Sequence, residues 1–524
     1  MKRKSNIITL GSLLLMIIAT GLVLYYIIAY SKYEFHADFT DTIMWAEASI
    51  DARGFLNPDF YYAASLPFGG HLIMIPFVLL FDVSLTAHIL GMVTFTLLFV
   101  FALVLLGRVM RWNMPMIALL VTSTLLILSL SAKLREIYWG HIIYYSLGIL
   151  FMLIGLALIF KTISELNNHK HKLKLYILSA IWFFLCSTNL LQSLIIFIIP
   201  AIGSAFLVRF IEVDEPLFSK RNLAYYQYLL VCLLASCFGF IVGQIITQDF
   251  GGTYADAYST FSAPSDWINN LHKFLIHWTS LLGADVNDGE LFSSKTGVLN
   301  LIKISFSLML LVLPIVMIKS YRNLPYYQKV LLLYHWIMTG LIMIGYIFGR
   351  LSAANWRLSP IVATAVITSI SYLQYLFKDR KLQRWGYTLT SIFVVIIYIS
   401  ASSLKPNLNQ NSDIRSVINL LEEEKLTYGY ATFWHANNIT VLSNAKIKSR
   451  CIELQSGNYK ACTYQTNKNW YKDQPNHDNY FLLLTKDEYN TLKINNSNFA
   501  NSALKKIDHE NYVILVFENN IFTD

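Results

Sequence analysis

Phe35-His36-Ala37-Asp38-Phe39-Thr40-Asp41-Thr42-Ile43-Met44-Trp45-Ala46-Glu47 sets three carboxylates into one short segment of a chain in which only 14% of residues are charged. The segment lies just beyond the first long apolar stretch, 7–30. Which side of a membrane it occupies decides how the rest of the chain is read.

The surrounding composition makes a membrane the solvent. Of the 524 residues, 55% are hydrophobic and 15% aromatic, which does not describe a water-facing surface. The apolar residues gather into stretches near the roughly 20 needed to cross a bilayer as a helix, where lipid leaves every backbone group to be satisfied internally. Eleven such spans are expected, at 7–30, 85–107, 115–131, 142–160, 174–190, 193–210, 225–246, 299–318, 330–349, 359–377 and 386–403.

Lys2-Arg3-Lys4 precede the first span as they would in a secretory signal. The apolar run is longer than a signal core, and no small-residue cleavage site follows it. An uncleaved anchor with a cytoplasmic N-terminus is therefore expected. Basic residues follow the same orientation. Inner segments carry Arg108 and Arg111; Lys161, Lys170, Lys172 and Lys174; Arg209, Lys220 and Arg221; Lys319, Arg322 and Lys329; and Lys378, Arg380, Lys381 and Arg384. The longer outer segments before the tail hold only Lys32, Arg53, Lys133, Arg135, Lys273, Lys295, Arg350 and Arg357. The net charge of +9 thus records topology and calls for no nucleic-acid partner.

This places two long loops, 31–84 and 247–298, outside, together with everything after Ser403. The expected domains are a transmembrane unit, 1–403, and a soluble extracytoplasmic unit, 404–524. Within the tail, Ile414, Val417, Ile418 and Leu421 recur at helical spacing beside an acidic face. Thr427–Trp434 and Tyr512–Glu518 read as strands, so a small α/β domain is expected. Tyr428, Tyr430, Phe433, Trp434 and His435 suit core packing better than stacking on sugar rings. Cys451 and Cys462 lie where a disulfide persists, and two free thiols remain the alternative. In the second outer loop, Trp267, Ile268, Leu271, Phe274, Leu275, Trp278 and Leu281 form one apolar face between Ser265 and Gly283, as in a helix lying on the membrane.

The acidic first loop has two readings. Asp38, Asp41 and Glu47 either solubilise a short helix, with Asp41 facing its first turn, or they do chemistry. The loop continues as Asp51-Ala52-Arg53-Gly54-Phe55-Leu56-Asn57-Pro58 and then Leu66-Pro67-Phe68-Gly69-Gly70-His71-Leu72. Together these residues resemble the GT-C superfamily of polyprenyl-phosphate-sugar glycosyltransferases, particularly protein O-mannosyltransferases and lipid A aminoarabinose transferases. In that pattern an Asp-Glu pair precedes an aromatic-Ala-Glu run, and Asp41, Trp45, Ala46 and Glu47 occupy matching positions. Gly54, Pro58 and the turn Pro67 to Leu72 follow it more loosely. Thr42 stands where the second acid is expected, and Phe68-Gly69-Gly70-His71 where a doubled proline is expected.

The resemblance implies a polytopic α-helical membrane protein of the GT-C type. It also implies Asp41 as general base and a polyprenyl-phosphate-linked sugar as donor. The chemistry agrees: moving a sugar from a lipid phosphate to a hydroxyl needs one carboxylate to take the acceptor proton. The phosphate leaves as an anion and needs cationic partners rather than a second acid. Arg135, Arg350 and Arg357, arginines at outer membrane ends, are the candidates; the alternative for Arg350 and Arg357 is binding of ordinary lipid phosphates or snorkelling, and for Arg135 an ordinary ion pair with Glu136. Asp38 and Glu47 are expected to shape the site, and His71 and His141 to contact sugar or phosphate. No cofactor is expected; a divalent-metal site of His71 and His141 with Asp41 is the alternative, although their spacing carries no recognisable ligand signature.

The expected activity is an inverting hexosyl- or pentosyltransferase acting on a cell-envelope acceptor at a bacterial plasma membrane. The competing reading is a transporter or flippase for a lipid-linked sugar, which calls for ionisable residues in broken spans near the midplane. Ionisable residues are few within the expected spans and cluster at their outer ends.

Overall fold

The computed structural model describes residues 2–30, 35–166, 169–212, 220–248, 250, 256–404, 412–455, 458–474 and 479–523. Among the described residues, nine helices are long and apolar enough to cross a membrane. A tenth span is reached if the bent pair Met114–Ile127 and Ala132–Gly140 counts as one. The remaining expected span, 174–190, coincides with the helix His169–Ser187, which packs along Lys220–Thr247. Tyr144–Ser164 and Asn355–Lys378 are largely enclosed by protein, whereas Ile8–Ala29, Asn222–Thr247 and Gln383–Ser403 turn most of their side chains outward.

The expected span 115–131 breaks at Ile127, where the chain turns through 113°. Polar groups freed at such a break must find partners inside the protein. Ser131 caps the next turn by accepting from the Leu134 amide at 3.1 Å, and it donates to the Leu281 carbonyl at 2.6 Å. Arg135 donates to the Ser129 carbonyl at 3.0 Å, and Trp139 to the Ser129 hydroxyl at 2.9 Å.

Beyond the first span, a 3-10 turn, Ala37–Thr40, leads into a short helix, Asp41–Ala52. Arg53, at φ 52°, ends that helix in the left-handed region. The Gly54 amide then closes back on the Ser49 carbonyl at 3.1 Å. Asn57 ties the following loop to the helix, donating to the Ala48 carbonyl at 3.1 Å. Gly70 lies against the Ile142 carbonyl so closely that an added Cβ would sit 2.2 Å from it. The turn Pro67 to Leu72 leads into a short apolar helix, His71–Phe81, and Leu85–Val109 follows with Ser84 as its cap.

In the tail, the six-stranded sheet runs in the order Asn458–Ala461, Lys448–Gln455, Tyr428–Thr432, Tyr480–Thr485, Tyr512–Phe517, Lys505–His509. Tyr428–Thr432 pairs parallel with both neighbours, and the outer pairings are antiparallel. The helix Ser412–Glu423 buries Ile414, Val417, Ile418 and Leu421, the face expected of it. Tyr428 and Tyr430 are core residues, while Trp434 is exposed. Cys451 and Cys462 are bridged. The expected opening of this unit at 404 abuts residues 405–411, which lie outside the described residues.

The sheet unit docks on the first loop. Phe60 and Tyr61 pair antiparallel with Asn467 and Thr466, and the Trp45 indole donates to the Gln465 amide oxygen at 2.6 Å. The helix Ala436–Leu442 packs on the turn Ala37–Thr40. In the second loop, Trp267–Leu281 forms a helix as expected, and Gly283 at φ 83° stops it. Ser265 does not cap it; it lies in the preceding 3-10 turn, Pro264–Asp266. Ile268, Leu271, Leu275 and Ile276 stand exposed on this helix.

Candidate active site

Asp41 is the first residue of its helix and only 4% exposed. Opposite it is His141, in the extended link between the turn Glu136–Gly140 and the helix Tyr144–Ser164. Their approach depends on Gly140: the Phe39 ring lies where any Cβ there would come within 2.7 Å of it. Phe39 also stacks near the His141 ring, with centroids 6.4 Å apart. His141 Nδ1 is 3.8 Å from Asp41 Oδ2, an ion-pair distance rather than a hydrogen bond.

Asp41 Oδ1 and His141 Nε2 are buried without hydrogen-bond partners. Unsatisfied groups of this kind in an interior are costly and mark a place where something else binds or reacts. Burial pushes the Asp41 carboxyl up to about 7, with His141 opposing the rise. Burial alone would push His141 down, but the Asp41 carboxylate outweighs it and holds the imidazole above its ordinary value. Each group thus favours the charged form of the other.

Around this dyad is a charged rim. Lys133 pairs with both Glu136 oxygens at 2.6 and 2.8 Å, and His36 lies 3.7 Å from the same carboxylate. Asp38 sits half-buried on the turn beside them. The Lys133 ammonium also lies 4.7 Å from the centroid of the Trp356 ring, next to Arg357.

Arg357 is 5% exposed, with its guanidinium 3.6 Å from the Tyr258 ring centroid and its Nε without a partner. It lines a cavity of about 100 Å³ with Tyr144, Tyr145, Gln192, Ile195 and Leu351. Tyr144 lies within electrostatic reach of both Arg357 and Asp41, so the cationic cavity and the dyad are neighbours. The second outer loop fixes the Arg357 segment: Ser352 donates to Asn270 at 2.7 Å, and Asn355 to Ser280 at 3.0 Å.

The other expected site residues are dispersed. Arg350 is exposed, and its carbonyl accepts from Arg357 Nη1 at 3.5 Å. Arg135 serves the helix break and lies over the Tyr26 ring; Glu136 pairs with Lys133, not with Arg135. His71 accounts for one ring nitrogen by bonding the Phe55 carbonyl at 2.9 Å. Glu47 faces the C-terminal sheet, 3.6 Å from Arg450. Tyr144 and Tyr258 were not singled out from the sequence, because no local pattern marks residues that meet only in the fold. Among the described residues, no three His, Cys, Asp or Glu side chains are gathered as a metal ion would require.

No family model and no curated protein sequence matches the chain. Among solved structures, an archaeal oligosaccharyltransferase from Archaeoglobus fulgidus, tethered with an acceptor peptide, aligns with 94% of this chain and 72% of its own, at 11% identity and a TM-score of 0.49. ArnT, the aminoarabinose transferase of Cupriavidus metallidurans bound to undecaprenyl phosphate, aligns with 97% of this chain and 98% of its own, at 10% identity and a TM-score of 0.54. Over nearly its whole length, this chain therefore has the fold of ArnT.

Proposed function

We propose that the protein is an integral membrane glycosyltransferase that moves a sugar from a polyprenyl-phosphate carrier to a cell-envelope acceptor on the extracytoplasmic face. The observation that carries this reading is the Asp41–His141 pair: a buried carboxylate with one free oxygen, beside a cavity lined by the buried Arg357. The shared fold supports it.

In the reaction, the acceptor oxygen bonds to the anomeric carbon as the bond from that carbon to the carrier phosphate breaks. Asp41 takes the acceptor proton, and His141 stabilises the carboxylate before transfer. A base with a pKa near the working pH is best placed for this task. The polyprenyl phosphate leaves with its electron pair, and the Arg357 guanidinium balances the charge. One displacement of this kind inverts the anomeric centre. Tyr144, which lines the cavity with Arg357 and feels the Asp41 charge, orders the reacting groups.

The test is transfer by purified protein in lipid, given labelled polyprenyl-phosphate sugars and envelope extract. Label should pass from the carrier to an envelope polymer, glycolipid or protein, and Asp41→Asn should abolish it. Transfer undiminished by that substitution removes the proposed base.

A further inference from the structure

Between the helix Asp41–Ala52 and the C-terminal sheet lies a second cavity, of about 560 Å³. Glu47, Asp51 and Asn57 line it from the first loop, and Lys448, Arg450 and Asn469 from the sheet unit. Asp51, Lys448 and Asn469 are exposed, so the cavity opens to water.

Its floor is built from buried charges. Arg450 is 2% exposed, with its guanidinium 3.7 Å from the Trp470 ring centroid. Nη2 lies 3.6 Å from Glu47 Oε1, too long for a hydrogen bond. Arg450 Nε and Nη1 and Glu47 Oε2 are buried without hydrogen-bond partners. The ion pair helps dock the two units, yet docking alone leaves three strong polar atoms unsatisfied, which interiors rarely tolerate. The cavity has room for roughly nineteen waters at about 30 Å³ each, so a ligand of several hydroxyls can replace solvent there.

Charge decides what kind of ligand fits. Glu47, Asp51 and Asp59 outnumber Lys448 and Arg450 around the cavity. A phosphate would satisfy the two cations and be repelled by three carboxylates. Neighbouring sugar hydroxyls donate to a carboxylate and accept from a guanidinium at once. We propose that this cavity binds a saccharide through Glu47, Asp51, Lys448 and Arg450. Binding stands on the cavity itself; that the saccharide is the acceptor rests on the transfer reading above. Glu47 shares its helix with Asp41, six residues away, or about 9 Å along the axis. A saccharide held here is thus anchored at a set distance from the base.

Saturation-transfer NMR on the full chain in lipid nanodiscs tests this. The probes are the methyl glycosides of glucose, galactose, mannose and N-acetylglucosamine, with inorganic phosphate as competitor. At least one glycoside should give a saturable signal. Arg450→Gln should raise its half-saturating concentration at least about tenfold, as expected when hydrogen bonds to a charged group are lost. Asp51→Asn, on the exposed rim where folding is not at stake, should raise it by a smaller factor of about three. Asp41→Asn should leave the signal unchanged even though transfer is lost, which separates this site from the reaction. The proposal is overturned if no glycoside saturates, if the signal survives both Arg450→Gln and Asp51→Asn, or if millimolar phosphate displaces it.

Discussion

At the scale of single residues, the reading turns on how Asp41 and His141 favour each other's charged form. Asp41→Asn keeps the shape and removes the base, so transfer should fall by at least about a hundredfold, the usual worth of a positioned general base. The pH dependence has a definite sign. The ionised carboxylate is the active form and burial places it at about 7, so the rate should rise with pH through neutrality. His141 opposes that elevation; in His141→Gln the carboxyl is harder to ionise, and the rising limb should move to higher pH. A limb that stays in place or moves down would show that His141 does not act on Asp41. Asp41 was legible in the sequence from its spacing to Trp45-Ala46-Glu47. Its pairing with His141 was not, because a hundred residues separate them and contacts made in the fold, among them the packing of Phe39 over Gly140, join them. Glu47 was grouped with Asp41, whereas the structure sets it against Arg450; helical arithmetic separates the two, since six residues advance about 600°, or 240° net, which turns its side chain away from Asp41.

At the scale of elements, the apolar stretches announced most of the membrane helices, since lipid leaves a spanning segment few alternatives. What sequence periodicity could not foresee was the 113° turn after Ile127, because Leu128-Ser129-Leu130-Ser131 is apolar enough to continue a span. The serines there are satisfied by tertiary partners, Arg135, Trp139 and the Leu281 carbonyl. The same turn delivers Glu136 and His141 to the loop helix. The Phe68-Gly69-Gly70-His71 departure from the expected doubled proline also acquires a reason. Gly70 presses on the Ile142 carbonyl beside His141, and Phe68 is gripped by Asn189 through both its amide and its carbonyl, each at 2.9 Å. Gly70→Ala would put a methyl 2.2 Å from that backbone oxygen, and backbone gives way less readily than a side chain. The expected cost is about 2 kcal/mol or more, as for overpacked cores. It should appear as a lower unfolding temperature in detergent and as reduced transfer, because the same shift moves His141. Gly340→Ala, where an added Cβ meets nothing within 4 Å, is the matched control and should change neither.

For the whole molecule, the contacts gather the acidic loop, the second long loop and the C-terminal sheet at one end of the helices. Trp45 meets Gln465, Ser131 meets Leu281, and Asn355 meets Ser280. That arrangement agrees with a single outer face, which the expected bias of Lys and Arg makes the extracytoplasmic one. The site's substrate depends on this assignment, since a lipid-linked donor must present its phosphate in the leaflet that Arg357 faces. Orientation is open to direct measurement. In a chain with Cys186, Cys232 and Cys237 replaced by serine, the bridged Cys451 and Cys462 do not react, and one new cysteine reports its own side of the membrane. Lys493→Cys, exposed on a helix of the sheet unit, should react with a membrane-impermeant maleimide in intact cells. Arg380→Cys, exposed between the last two spans, should react only after the membrane is opened. The reverse pattern would place Asp41 in the cytoplasm, with a reducing compartment around the disulfide and no outer-leaflet donor within reach, and transfer to an envelope acceptor would have to be abandoned.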